Sequence, residues 1–395
     1  MKREPLEIYI HIPFCVKKCN YCDFLSYGIE DKSLENTACQ SNRQNPVPQS
    51  YVDVLCREIR WYGSMDGIKH RPVRSVFFGG GTPSLLSEDQ MLQLMSELRT
   101  DFLIARGAEI SMEANPGTLT PAKLERMHAL GINRLSIGLQ STSEDELKIL
   151  GRIHSYGAFL QSFKWARAAG FDNINVDIIT AVPGQTVDSY RKTLDQVLAL
   201  SPEHISAYSL IIEPGTPFEE MDAKGELELP DEDEERKMYE ITGTFLKKNG
   251  YERYEISNYS KPEQECRHNI GYWERMDYLG LGLGAASLIG KKRFTNPKNM
   301  TVYMKGSFAQ ESWYSDEELL DEKAAIEEFM FLGLRMIQGV SEKAFYKEFG
   351  RKIMAVYGSI IQDNCNKGLL KRKNGRIFLT SKGLDLANTV MADFL

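Results

Sequence analysis

Six short apolar runs, at Leu6–Ile12, Ser75–Phe78, Glu109–Glu113, Arg134–Leu139, Asn175–Thr180 and His204–Ile212, are separated by stretches with helical periodicity. This alternation constrains the fold more than any other feature of the chain. Strands that recur with helices between them pair in parallel, each helix serving as the crossover. The helices carry their own boundaries. Ser87-Glu-Asp-Gln90 and Ser143-Glu-Asp-Glu146 have capping-box spacing, Thr120-Pro121 offers an N-cap followed by proline, and Gly131, Gly151 and Gly170 sit where helices should stop. Six βα units in series fit a partial, open TIM-like (β/α)6 barrel better than a two-sided open sheet. In either arrangement the C-terminal strand ends form the active face.

The loop that leaves the first strand at that face is Phe14-Cys-Val-Lys-Lys-Cys-Asn-Tyr-Cys-Asp-Phe24. Its thiols Cys15, Cys19 and Cys22 stand in C-x3-C-x2-C spacing, which curls three sulfurs round one point. Soft sulfur ligands suit zinc or iron–sulfur centres. Structural zinc prefers four ligands in paired spacings, and the chain has no second C-x-x-C or H-x3-H. The cysteines therefore point to a [4Fe–4S] cluster with one iron open. The motif resembles the signature of the radical S-adenosylmethionine (SAM) superfamily. That resemblance implies that SAM chelates the open iron and is cleaved by a cluster electron to a 5′-deoxyadenosyl radical, with no catalytic side chain assigned beyond the cluster.

More polar residues fall at the strand ends. Phe78-Gly-Gly-Gly-Thr-Pro83 lets a backbone approach a ligand without Cβ obstruction. Glu113, Gln140, Arg152 and Asp177 lie at or just beyond strand ends, and carboxylates within apolar strands are costly unless partnered. An internal ion pair with Arg152 or Arg134 would explain them, as would a ligand pocket.

Tyr9-Ile-His-Ile-Pro-Phe-Cys15, Gly79-Gly-Gly-Thr-Pro83, Ser111-Met-Glu-Ala-Asn-Pro116, Gly138-Leu-Gln140 and Val182-Pro-Gly184 together resemble the oxygen-independent coproporphyrinogen III dehydrogenase family. The resemblance implies SAM contacts at Tyr9, Gly80, Gly81, Thr82, Glu113, Gln140, Arg152 and Asp177. Two features depart from the dehydrogenases: Phe24 stands where they carry a further cysteine, and few residues precede Leu6. Both resemble the heme chaperone (HemW) branch, as does His268-Asn-Ile-Gly-Tyr-Trp273, the branch's HNxxYW motif. A neutral imidazole can ligate iron, and Tyr272 and Trp273 offer flat faces to a porphyrin, with Arg267 available for a propionate. A histidine among aromatics is also commonly a structural residue.

The function expected is heme binding and delivery to acceptor proteins on a scaffold holding the cluster, SAM and heme. The alternative is oxidative decarboxylation of coproporphyrinogen III in porphyrin biosynthesis. The partners implied are a heme or porphyrin ligand, a heme acceptor and a reductant protein such as a flavodoxin. The resemblance also allows a homodimer and a peripheral membrane contact made through the acceptor. A net charge of −7 argues against nucleic acid as a partner. The chain shows no signal-peptide pattern or membrane-length apolar run, and its seven cysteines fit a reducing compartment, so a cytoplasmic location is expected.

Residues 1–290 read as the barrel domain, with a polar surface insertion at 29–49. Residues 291–395 read as a smaller helical, winged-helix-like domain. It comprises a long helix at Glu317–Met336, shorter ones at Ser341–Phe349 and Ala355–Lys367, and a hairpin over Leu369–Thr380 turning at Asn374-Gly375. The basic cluster Lys371-Arg-Lys373 reads as a solvated tip rather than a nucleic-acid contact, and Asp231-Glu-Asp-Glu-Glu235 as a linker or the first turn of a helix.

Overall fold

The structure, a computed structural model, describes residues 4–29, 31–34, 39–310 and 313–395. All six expected strands are present: β1 Leu6–Ile12, β2 Pro72–Gly80, β3 Leu103–Ala114, β4 Arg134–Gln140, β5 Ile174–Thr180 and β6 His204–Ser209. They pair in parallel in chain order. A seventh parallel strand, β7 at Tyr278–Leu281, adds on the free side of β1. Every residue of β4 is buried, as expected where helices cover a parallel sheet. The last strand stops at Ser209 rather than Ile212, because Leu210 and Ile211 leave the sheet for the mouth of a cavity.

The helix signals act as read. Ser87 and Gln90 form a reciprocal capping box, while Ser143 and Thr120 accept from the amides of Glu146 and Lys123. Gly131, Gly151 and Gly170 have positive φ at the helix ends. Asp231 caps the helix Glu232–Lys248, so the acidic run is that helix's first turn.

The sheet is open, ending in antiparallel strands at Glu252–Arg253 on one side and Asp316–Leu319 on the other. It curls far enough for residues of β1 to β6 to line one chamber of about 410 Å³. The domain boundary expected at residue 290 falls inside the antiparallel hairpin Ala286–Ile289/Lys292–Thr295. That run continues to Leu319, and the buried core of the C-terminal segment begins at Ile326. Pairing of Asp316–Leu319 with Lys292–Thr295 shortens the expected long helix, which occupies Glu322–Gly333.

The C-terminal segment then forms helices at Glu342–Phe349 and Ile353–Asn366 and the hairpin Leu370–Lys373/Arg376–Leu379. The hairpin turns at Asn374 (φ 53°) and Gly375 (φ 70°), and Val340–Ser341 adds a third strand. Arg372 in the basic cluster is paired with Glu342 at 2.7 Å. The insertion is less peripheral than its composition suggested. Residues 30 and 35–38 lie outside the described residues, but Leu34, Cys39 and Val47 are buried in the main core.

Candidate functional site

The glycine run ends β2, and each glycine meets a different obstacle. A Cβ on Gly80 (φ 113°) would sit 2.5 Å from the His11 ring, and one on Gly81 would sit 2.7 Å from the Phe14 carbonyl oxygen. The run therefore lies flat against the start of the cysteine loop. The Gly81 and Thr82 amides donate to the carbonyls of Ile12 and Phe14, and the Thr82 hydroxyl donates to Cys15 Sγ at 3.5 Å.

From Thr82 a polar chain crosses the cavity. Asn115 Nδ2 donates to Thr82 Oγ1 at 2.9 Å and Asn115 Oδ1 accepts from Arg152 at 2.6 Å. Arg152 also donates to the Gly138 carbonyl at 2.8 Å and to Cys19 Sγ at 3.4 Å. Two of the three loop cysteines are thus tied to the ends of three strands. Burial raises the Cys15 thiol and lifts Cys22 to about 11.

Cys15, Cys19 and Cys22 line one cavity of about 350 Å³ together with Gly80, Gly81, Thr82, Glu113, Gln140, Arg152 and Asp177. Among the described residues no group of three or more His, Cys, Asp or Glu side chains is close enough for a single metal ion. The loop instead presents three separated thiols round one space, a donor set that suits a multi-iron cluster better than one ion.

Tyr9 is placed elsewhere. It lines the second chamber, lower in the barrel, where its hydroxyl is 3.0 Å from His11 Nδ1. The two spaces share Phe24, Gly80, Glu113, Ser136, Asp177 and Tyr208 as walls. Glu113 stands at the junction and accepts the Gly80 amide at 3.2 Å. Burial, reinforced by Asp177, pushes its carboxyl up to about 8. Asp177, also raised by burial, is held by Asn175 at 2.8 Å and Ser136 at 3.0 Å. Gln140 ends β4 with φ 72°, a conformation uncommon among non-glycine residues.

The expected heme residues lie at the opposite end of the barrel. The helix Arg267–Trp273 closes its floor, with Glu109 of β3 accepting the amides of Arg267 at 3.0 Å and His268 at 3.2 Å. His268 is 1% exposed and stacks on Phe77 with ring centroids 5.2 Å apart. Its Nδ1 lies 2.9 Å from Ser75 Oγ and its Nε2 3.1 Å from the Tyr272 hydroxyl. Burial drives the imidazole down to about 3, so it is neutral. Trp273 lies under the Arg335 guanidinium at 4.3 Å. In this arrangement both imidazole nitrogens have hydrogen-bond partners, and His268 and Tyr272 line the second chamber.

Sequence reading passed over Asn115, although it stands in the quoted Ser111–Pro116 motif. It also passed over Tyr21, His154 and Tyr208, which line the cysteine cavity. Asn115 was the most recoverable, two residues after a carboxylate already singled out.

The Radical SAM superfamily model matches residues 9–197 and the HemN C-terminal domain model residues 320–386. A protein named heme chaperone HemW from Bacillus subtilis is 36% identical over 98% of this chain and 98% of its own. Its namesake from Lactococcus lactis is 34% identical over 100% of this chain and 98% of its own. The solved coproporphyrinogen III oxidase (HemN) from Escherichia coli superposes with a TM-score of 0.83 at 24% identity, covering 100% of this chain and 91% of that one, a likeness of fold.

Proposed function

The chain belongs to the heme chaperone HemW branch of the HemN-like radical SAM proteins, and from that premise we propose that it binds heme and delivers it to acceptor proteins. The observation that carries this reading is that the likeness to heme chaperones spans the whole chain, barrel and C-terminal segment together.

In this reading Cys15, Cys19 and Cys22 hold three irons of a [4Fe–4S] cluster, and SAM occupies the space beside them. The donor set supports the assignment: Thr82 and Arg152 aim hydrogen bonds at Cys15 and Cys19, an arrangement that favours thiolate sulfur. Gly80, Gly81, Thr82, Glu113, Gln140, Arg152 and Asp177 surround the SAM space, with Tyr9 below it in the connected chamber. When bound, the cluster supplies electrons to SAM. The protein's own residues orient and enclose: Arg152 couples the cysteine loop to β4, the glycine run admits the ligand to the backbone, and Glu113, held largely protonated, can donate a hydrogen bond where an ionised carboxylate could not.

The partners in this reading are heme as cargo, a heme acceptor and a reductant such as a flavodoxin, and the work is done in the cytoplasm. Membrane contact is made through the acceptor. Among the described residues no helix is long and apolar enough to cross a membrane.

The test is to titrate the cluster-reconstituted protein with hemin, then mix it with an apo-hemoprotein, and in parallel to incubate it anaerobically with SAM, reductant and coproporphyrinogen III. A Soret band that moves to the acceptor, with no vinyl tetrapyrrole formed, is the expected result. Catalytic decarboxylation would overturn it in favour of the dehydrogenase.

A further inference from the structure

One side-chain amide lies between the donors to two of the three loop cysteines. Asn115, just beyond the end of β3, has its backbone fixed on both sides. Its N–H donates to Ser84 Oγ at 3.3 Å and its carbonyl accepts from Thr118 Oγ1 at 2.7 Å. Ser84 Oγ and Thr118 Oγ1 are 2.6 Å apart, which closes the ring. The amide is thereby held where it reaches both Thr82 and Arg152.

Donor counting fixes the direction of every proton in this chain. A guanidinium has donors only, so the Asn115 atom 2.6 Å from Arg152 Nη2 is the oxygen. The amide nitrogen then faces Thr82 Oγ1 at 2.9 Å and donates to it. Thr82 is 3% exposed, and its hydroxyl has a single proton to give. The acceptor that the structure offers this proton is Cys15 Sγ at 3.5 Å. Arg152 meanwhile donates directly to Cys19 Sγ through Nη1 at 3.4 Å. One cation thus acts on two sulfurs, on Cys19 at first hand and on Cys15 through Asn115 and Thr82. Only a side chain with an acceptor at one end and a donor at the other completes that path.

We propose that Asn115 is a positioning residue for the cluster: by orienting Thr82 and Arg152 as donors to Cys15 and Cys19 it raises the cluster's reduction potential, and so sets how strong a reductant the protein needs. The inference rests on the [4Fe–4S] assignment. Reduction places more negative charge on the cluster sulfurs, so a hydrogen bond to sulfur stabilises the reduced form more than the oxidised one. Hydrogen bonds that point the same way along a chain polarise one another, so the loss of the middle link weakens the donor at its end.

The test is an anaerobic redox titration of the full-length, cluster-reconstituted protein without SAM, followed by the EPR signal of the reduced cluster. The signal is scaled to its own maximum, so the midpoint describes the loaded molecules whatever the iron content. Asn115→Leu is expected to make reduction about tenfold less favourable, a midpoint about 59 mV more negative for one electron. Thr82→Val should move the midpoint in the same direction. Thr82→Val/Asn115→Leu should shift by less than the sum of the two, since both single changes remove the same donor to Cys15. Asn115→Asp keeps the shape and the Arg152 contact for the case in which leucine blocks loading. Its carboxylate draws the Thr82 proton away from Cys15, so its shift should shrink in the Thr82→Val background. A wild-type midpoint in the Asn115 variants would overturn the proposal while leaving the cluster in place, and so would strictly additive shifts. Lower iron content at an unchanged midpoint would make Asn115 a residue of the fold alone and overturn it equally. Wild type that takes up no EPR-active cluster would overturn the cluster assignment, and the role of Asn115 with it.

Discussion

His268 Nδ1 and Ser75 Oγ, 193 positions apart in the chain, are 2.9 Å apart at the floor of the barrel. The contact joins the helix that closes the floor to the second barrel strand and keeps the imidazole inside the protein, neutral. Its pKa is displaced from 6.5 to about 3, so the unfolded state binds a proton that the native state refuses. The stability it contributes is fully present above pH 6.5 and is lost as pH falls toward 3. His268→Gln should flatten the acid limb of a stability-versus-pH profile measured by urea denaturation.

Glu113 titrates in the opposite sense. Its carboxyl is raised from 4.5 to about 8, so its contribution is full below pH 4.5 and declines as pH rises through 8. Glu113→Gln, which keeps the shape and removes the titration, should be less sensitive than wild type between those pH values. Parallel denaturant midpoints at pH 5 and pH 8.5 decide it, and an identical pH dependence in the two proteins would remove Glu113 from the account.

Gly271, inside the HNxxYW motif, lies against the buried Glu7 carboxylate, and a Cβ there would run into both carboxylate oxygens. Glu7 has little room to withdraw, with Arg74 Nε 2.9 Å away and His268 Nδ1 3.9 Å away. Gly271→Ala should destabilise the protein by about 1–3 kcal/mol, the range for overpacking a filled core, despite alanine's better helix propensity. Thermal or urea unfolding measures it.

Arg152 spends its guanidinium on Cys19, Asn115 and the Gly138 carbonyl. A lysine at this place keeps the charge but cannot reproduce the planar fork. Arg152→Lys should lower SAM affinity about tenfold, and iron content per chain after reconstitution should fall with it. Equilibrium dialysis with SAM and iron analysis read the two effects separately.

Arg275 is 7% exposed, with a positive φ of 55°, and bridges the floor helix to Glu328 and Glu348 of the C-terminal segment, each at 2.9 Å. Glu328 has a second partner in Arg293 at 2.6 Å. Arg275→Met should therefore cost about 3 kcal/mol or less, the low end for breaking a buried ion pair, because Glu328 keeps one cation. A denaturation curve that splits into two transitions would show that this bridge couples the two cores.

The cluster loop, the glycine run and the six strands were legible because each is local: a spacing, a steric need or a periodicity declares itself within a dozen residues. Asn115 was missed because its partners, Thr82 and Arg152, are 33 and 37 positions away. The contacts of the HNxxYW helix with Ser75, Phe77 and Glu109 join residues far apart in the chain, so no local pattern announces them. β7 escaped notice because it is short, and its pairing with β1 joins residues some 270 positions apart, beyond any local pattern. The expected helix at Glu317 failed for a similar reason, since four acidic or apolar residues became an edge strand when a partner strand stood alongside.

The late arrival of β7 and the floor helix has a consequence for how the protein is made. While the chain emerges from the ribosome, β1 and its cysteine loop appear first, yet the neighbour on one side of β1 is encoded only at Tyr278–Leu281. Until then β1 is an unprotected edge, and the barrel is a trough open beneath Tyr9 and Phe77. The nascent cysteine loop is thus born long before its scaffold can be sealed, because the strand that covers the free side of β1 is encoded some 270 positions later.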